Sequence, residues 1–147
     1  MISMPTWAFD VPKGFKKVNT FGSSENLWID AKSLETVQAF ISDLKGLQTS
    51  KKPIQDLKEI SKAKSDTLSQ ILNIKGWKIT GEQEVKYSDS EKTVYLFGQY
   101  MDSEEKRVFF VEIYNWSIDR SPTAYLITNY KKPYTAPDLN NRFKFAK

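Results

Sequence analysis

The sequence predicts an α+β domain: an antiparallel sheet of short N-terminal strands plus a four-strand meander, packed with two central helices and a short C-terminal helix in an α/β/α sandwich-like arrangement. Three observations carry this. An apolar period of two runs from Trp77 to about Lys131. Before it, from Ser33 to Lys75, the apolar spacing is three and four. The connections inside the later stretch are short and polar, which suits antiparallel neighbours and leaves no room for parallel crossovers. At 147 residues the chain suits one domain, placed over residues 9–147.

Residues 8–30 read as short strands broken by turns. Val11-Pro12-Lys13-Gly14-Phe15 sets proline and glycine between apolar positions, and Phe21-Gly22-Ser23-Ser24 marks a second turn before Leu27-Trp28-Ile29. From Ser33, taken as an N-cap, Leu34, Val37, Phe40, Ile41, Leu44 and Leu47 follow helical spacing, which predicts a first helix ending near Gly46. Pro53 suits the first turn of a second helix, with Ile54, Leu57, Ile60, Leu68, Ile71 and Leu72 as its apolar stripe and a stop near Lys75-Gly76. Four strands follow, at Trp77 to Tyr87, Thr93 to Met101, Arg107 to Trp116 and Thr123 to Tyr130. Pro137 then opens a short helix in which Leu139, Phe143 and Ala146 share a face.

Composition narrows the chemistry. The chain has no histidine and no cysteine, while carrying nine phenylalanines, seven tyrosines and four tryptophans. Histidine is the side chain that titrates near neutrality, and histidine and cysteine supply most zinc, copper and haem ligation. Catalysis by Ser-His-Asp or Cys-His nucleophiles and thiol redox chemistry are excluded within this chain. No P-loop, dinucleotide fingerprint or EF-hand loop is present, so no cofactor and no metal site are expected. No stretch approaches the ~20 apolar residues of a transmembrane helix.

The net charge of +4 is unevenly placed. Residues 1–128 are balanced, and the excess lies in Lys131, Lys132, Arg142, Lys144 and Lys147 against Asp138 alone. Lys131, Lys132, Arg142 and Lys144 are therefore the expected basic contact patch for an acidic partner. The lysines of the second helix are interleaved with acidic side chains and read as a solvated face, so nucleic acid is not favoured.

In the third strand of the meander, Phe109, Val111 and Ile113 point one way and Val108, Phe110, Glu112, Tyr114 and Trp116 the other. A sheet apolar on both faces must be covered on both, or one face must form a groove. Phe110, Glu112, Tyr114 and Trp116 are accordingly the candidate ligand-binding residues, with Glu112 a carboxylate among aromatic rings. Glu82 and Glu84 share a face with Lys86 and read as a solvated edge. Asn115-Trp116-Ser117 matches the glycosylation sequon, which matters only in a secretory eukaryotic setting.

At the start of the chain, Thr6-Trp7-Ala8 carries small residues at the first and third positions, as a signal-peptidase site does. Residues 1–8 are expected to be a signal-peptide remnant or a disordered N-terminus, and the protein is placed in the periplasm or secreted, with the cytoplasm as the alternative.

The early FDVPKGF, an extended segment with Pro-x-Gly-aromatic, followed by strands, helices, a meander and a terminal helix ending FKFAK, resembles the PsbP/DcrB-like proteins. The motif covers Phe9 to Phe15 and the topology most of the chain. The resemblance implies an α/β/α sandwich with a non-catalytic binding or assembly role, often extracytoplasmic. It transfers no functional residue. A cystatin-like or NTF2-like curved sheet is the competing fold. The expected function is a non-enzymatic extracytoplasmic domain that binds another protein through sheet-edge aromatics and the basic C-terminus. The alternative is a binder of small apolar or aromatic molecules, or a cofactor-free enzyme, with a cavity near Glu112.

Overall fold

In a computed structural model of the chain, residues 9–10, 13–18, 27–40, 51–88, 91–117 and 120–145 are described. Their elements are β1 (Phe9–Asp10), β2 (Phe15–Val18), β3 (Leu27–Asp30), β4 (Thr36–Phe40), α1 (Pro53–Leu72), β5 (Lys75–Lys86), β6 (Glu91–Met101), β7 (Arg107–Ser117), β8 (Arg120–Asn129), α2 (Ala136–Arg142) and β9 (Lys144–Phe145). The class is α+β. Seven strands form one antiparallel sheet in the order β2-β3-β4-β8-β7-β6-β5, and β1 pairs with β9 separately.

The meander forms where the alternation places it. Val94 and Leu96 of β6 sit opposite Tyr114 and Glu112 of β7, and Tyr95 and Phe97 sit opposite Ile113 and Val111 on the other face. Both faces are buried. One core gathers Val37, Tyr95, Val111, Ile113 and Ile127 beneath Leu139 of α2 and Phe143, the residue that follows it. The other gathers Val94, Leu96, Tyr114 and Ala124 beneath Leu57 of α1. Each fully buried aliphatic side chain contributes about 2 kcal/mol of transfer free energy, so an apolar residue on either face of β6 or β7 stabilises the fold.

Pro53 opens α1 as expected, and the helix ends at Leu72, where Asn73 takes the left-handed conformation (φ 56°) that closes helices. Its buried face is narrower than the apolar stripe suggested. Leu57, Ser61 and Ser65 are buried, whereas Ile71 and Leu72 are exposed. α2 begins at Ala136, one residue before the predicted start, and Thr135 caps it by accepting from the Asp138 amide. Ala146 lies outside the described residues.

The predicted helix from Ser33 is corrected. Thr36–Phe40 is strand β4, pairing with β3 and β8, and the rest of that prediction, residues 41–50, lies outside the described residues. The described residues thus hold a single central helix, α1, in place of two. Ser33 caps no helix. Its hydroxyl donates to Asp30 and accepts from the Glu35 amide inside the tight β3–β4 turn. Leu34 carries a φ of 63° there, a region costly for a non-glycine residue, and is exposed.

Gly98 fixes the relation of β5 to the sheet. A Cβ at this position would lie inside the Phe110 ring and against the Lys78 backbone carbonyl, so both approach only because the side chain is absent. The register of β5 shifts on either side of the contact, between Lys75 and Lys78 and between Ile79 and Gly81. No described helix is long and apolar enough to cross a membrane.

Candidate functional site

Glu112 is completely buried, as are Phe110 and Tyr114 on the same face of β7. α1 lies over them. Lys64 reaches down from α1 to the Glu112 carboxylate, and Trp77 Nε1 donates to Ser61 Oγ at 3.1 Å one turn earlier. Trp77 stacks on Phe110 at 4.1 Å and on Tyr100 at 5.3 Å between ring centroids, and the Lys64 ammonium lies 6.0 Å from the Trp77 ring centre. Burial, and then the Glu112 charge, holds the Tyr114 phenol well above its ordinary pKa.

Three of the residues singled out on this face are thus accounted for by packing. Phe110, Glu112 and Tyr114 are core beneath a helix, and Glu112 is half of a buried ion pair. The Trp116 backbone pairs with Lys92, and its side chain lies outside the described residues. Asn115 of the sequon is 1% exposed, with its side-chain oxygen accepting from Thr93, so the folded chain presents no amide there for glycosylation. Lys64 was not singled out in the sequence, although it follows Leu57 by seven residues and so shares its helix face.

A polar cleft of about 280 Å³ opens elsewhere, lined among others by Asp30, Glu35, Lys131, Lys132, Tyr134 and Arg142. The β3–β4 turn, the segment after β8, and α2 meet there. Glu35 is buried and accepts from Arg142 Nη1 and Nη2 at 2.8 and 2.9 Å and from the Tyr134 hydroxyl at 2.5 Å. Arg142 Nε donates to Asp138 at 3.1 Å. The Asn129 side-chain oxygen accepts from the amides of both Lys131 and Lys132, and its Nδ2 donates to the Lys132 carbonyl, which fixes the turn carrying the two lysines.

The electrostatics follow from this bonding. Hydrogen bonding to Glu35 holds the Arg142 guanidinium above its ordinary pKa. Burial, then the Glu35 charge, pushes the Tyr134 phenol up. The Lys32 backbone amide holds the Asp30 carboxyl below its ordinary value. Lys131 and Lys132 are exposed, and among the described residues neither ammonium has an ion-pair partner.

Three of the four residues of the sequence-derived basic patch, Lys131, Lys132 and Arg142, thus line one cleft. Lys144 of β9 pairs through its backbone with Asp10 of β1, and its side chain lies outside the described residues. Glu35, Tyr134 and Asn129 were missed. The available signal was a glutamate just before a strand, two residues ahead of the core residue Val37 and so on its side of the chain, but the helical reading of this segment concealed it.

A second, apolar groove of about 410 Å³ is lined by residues including Leu34, Leu72, Tyr100, Leu126 and Tyr130. At the outer strand β5, Glu82 and Glu84 pair with Lys58 and Lys92 at 3.1 and 3.8 Å. Among the described residues no three carboxylates gather to hold a metal ion. Compared with known proteins, the chain matches no family model, no curated protein and no solved structure.

Proposed function

We propose that the protein is a non-enzymatic binding or assembly domain that engages another protein through the cleft at Lys131, Lys132 and Arg142. The observation that carries this reading is the convergence of these three cations, eleven positions apart at their extremes, on one concave site whose floor is fixed by Glu35, Tyr134 and Asn129. A rigid floor lowers the ordering cost of binding, and exposed lysines at a rim steer an acidic partner. The burial of Glu112 under α1 gives the competing apolar-ligand reading less support, because a ligand would have to displace the Leu57 and Lys64 contacts of that helix.

The FDVPKGF opening and the order of elements support a PsbP/DcrB-like assignment with its α/β/α layering, and the Thr6-Trp7-Ala8 pattern supports an extracytoplasmic location. The test is capture by cross-linking in the source cell, comparing the wild type with a Lys131→Glu/Lys132→Glu variant. Partner bands lost in a variant with an unchanged circular dichroism spectrum support the reading. An identical set of partners in both would overturn it. Cell fractionation with N-terminal sequencing checks location and the cleavage after Ala8.

A further inference from the structure

We infer that the protein holds a second binding site, for an uncharged aliphatic small molecule, in the groove between the C-terminal end of α1 and the sheet surface of β3, β4 and β8. This site is separate from the basic cleft and does not depend on it. Strand register defines its floor. Ile29, Thr36 and Thr128 lie side by side across the three strands, and so do Leu27, Gln38 and Leu126. The two rows continue into Phe110 and Glu112 of β7, so the groove and the surface beneath α1 belong to one sheet face. α1 covers that face over β6 and β7 and bounds the groove at Leu68 and Leu72. A molecule in the groove therefore leaves the Leu57 and Lys64 contacts in place, unlike one seated at Glu112.

Charge, bonding and exposure together select the occupant. Charged residues make up 27% of the chain, yet none of the twelve lining residues is charged, which matches a neutral, apolar molecule. The volume of about 410 Å³ falls within the ~300 to 1,000 Å³ of small-molecule sites. The Thr36 and Thr128 hydroxyls bond to each other at 2.6 Å, and the Tyr130 hydroxyl donates to Asp102 at 3.2 Å. A peptide, with its backbone N–H and C=O groups, would find few partners there. Among the described residues, three of the six exposed large apolar side chains line the groove: Leu34, Leu72 and Tyr130, from three separate segments. Leu34 is 55% exposed although its φ of 63° costs about 1 kcal/mol, a strain that burial in the free protein does not offset. An aliphatic chain laid between Leu34 and Leu72 would take both out of water.

The experiment titrates the full-length protein, methyl-labelled at isoleucine, leucine and valine, with 1-decanol, and with tetraethylene glycol as a polar chain of similar length. In nuclear magnetic resonance spectra decanol is expected to give saturable shifts of the Ile29, Leu72 and Leu126 methyls, with Overhauser contacts from its methylenes to them, and the glycol none. Two neighbouring substitutions separate the groove from apolar surface in general. Leu72→Glu sets a carboxylate in the uncharged lining and should weaken decanol binding about tenfold. Ile71→Glu, at a position 71% exposed that does not line the groove, should bind as the wild type does. Absence of saturable shifts, or an equal loss in the two variants, would overturn the inference. So would contacts in the free protein from the Ile41, Leu44 or Leu47 methyls to the groove, which would mean that the chain fills it itself. A concentration-dependent dimer in sedimentation that Leu72→Glu dissolves would make a second copy the occupant and overturn it as well. None of these outcomes involves Lys131 or Lys132, so the protein-binding reading stands or falls on its own test.

Discussion

Glu35 and Arg142, 107 positions apart, meet in a bidentate ion pair at 2.8 and 2.9 Å that ties the β3–β4 turn to α2. Glu35 is buried and Arg142 partly exposed, so removing the carboxylate charge leaves the guanidinium and the Tyr134 hydroxyl with a poorer acceptor. Glu35→Gln should destabilise the fold by about 2 kcal/mol, below the full cost of breaking a buried pair because water reaches Arg142. Urea unfolding measures this, and a change within about 0.5 kcal/mol would show that the pair does not hold the two segments together.

The Lys64–Glu112 pair is more deeply enclosed, with Glu112 at 0% exposure. Lys64→Met alone should cost about 3 kcal/mol, because it strands a buried carboxylate, whereas Lys64→Met/Glu112→Leu should recover most of that loss. A double-mutant cycle reads the coupling. Additive effects of the two substitutions would mean that the ion pair contributes no specific interaction.

Gly98→Ala should destabilise by about 3 kcal/mol or prevent folding, since one of the two obstacles is backbone and cannot rotate away. Gly76→Ala is the comparison. Nothing lies within 4 Å of its added Cβ, but its φ of 68° carries a cost of about 1 kcal/mol. Thermal unfolding of the two variants should separate steric exclusion from backbone strain.

Alkaline pH should unfold the protein through its buried phenols. Burial raises Tyr95 and Tyr100 to about 12, and raises Tyr114 and Tyr134 as well. Their folded pKa lies above the unfolded value near 10, so their contribution is complete below about pH 10 and is lost as pH rises toward 12. Tyrosinate absorbance and circular dichroism, followed together, should change in step for these residues. Ionisation of all tyrosines near pH 10 with the fold intact would contradict the burial.

Acid acts on a different group. The Asp30 carboxyl lies below its ordinary value of 3.8 through bonds from Lys32 and Ser33, so whatever it contributes is present at neutral pH and lost as pH falls through the lowered value. A carbon-detected titration of Asp30 should show a midpoint under 3.8. A midpoint at or above it would mean that the β3–β4 turn is not closed by this side chain.

The sequence was enough to read the meander, α1 and α2 from local pattern. In each, local period and punctuation agree: alternate residues of β6 and β7 are apolar on both faces, polar turns separate the strands, and prolines stand at the helix starts. It also marked three of the cations that line the cleft, because an excess of charge in the last nineteen residues is visible in a count. β4, the role of Glu112 and the floor of the cleft depend on contacts between distant parts of the chain. Leu34, Val37 and Phe40 sit three apart and mimic a helix, while the strand is only five residues long and is entered through Glu35, a buried charge where an apolar residue would have signalled it. That charge is tolerated because its partner arrives from Arg142 at the far end of the chain. Glu112 looked like a reactive carboxylate for the same reason: the cation that neutralises it stands on α1, 48 residues away. Local windows register which side chains are charged, but a buried charge takes its meaning from a partner that only folding brings within reach.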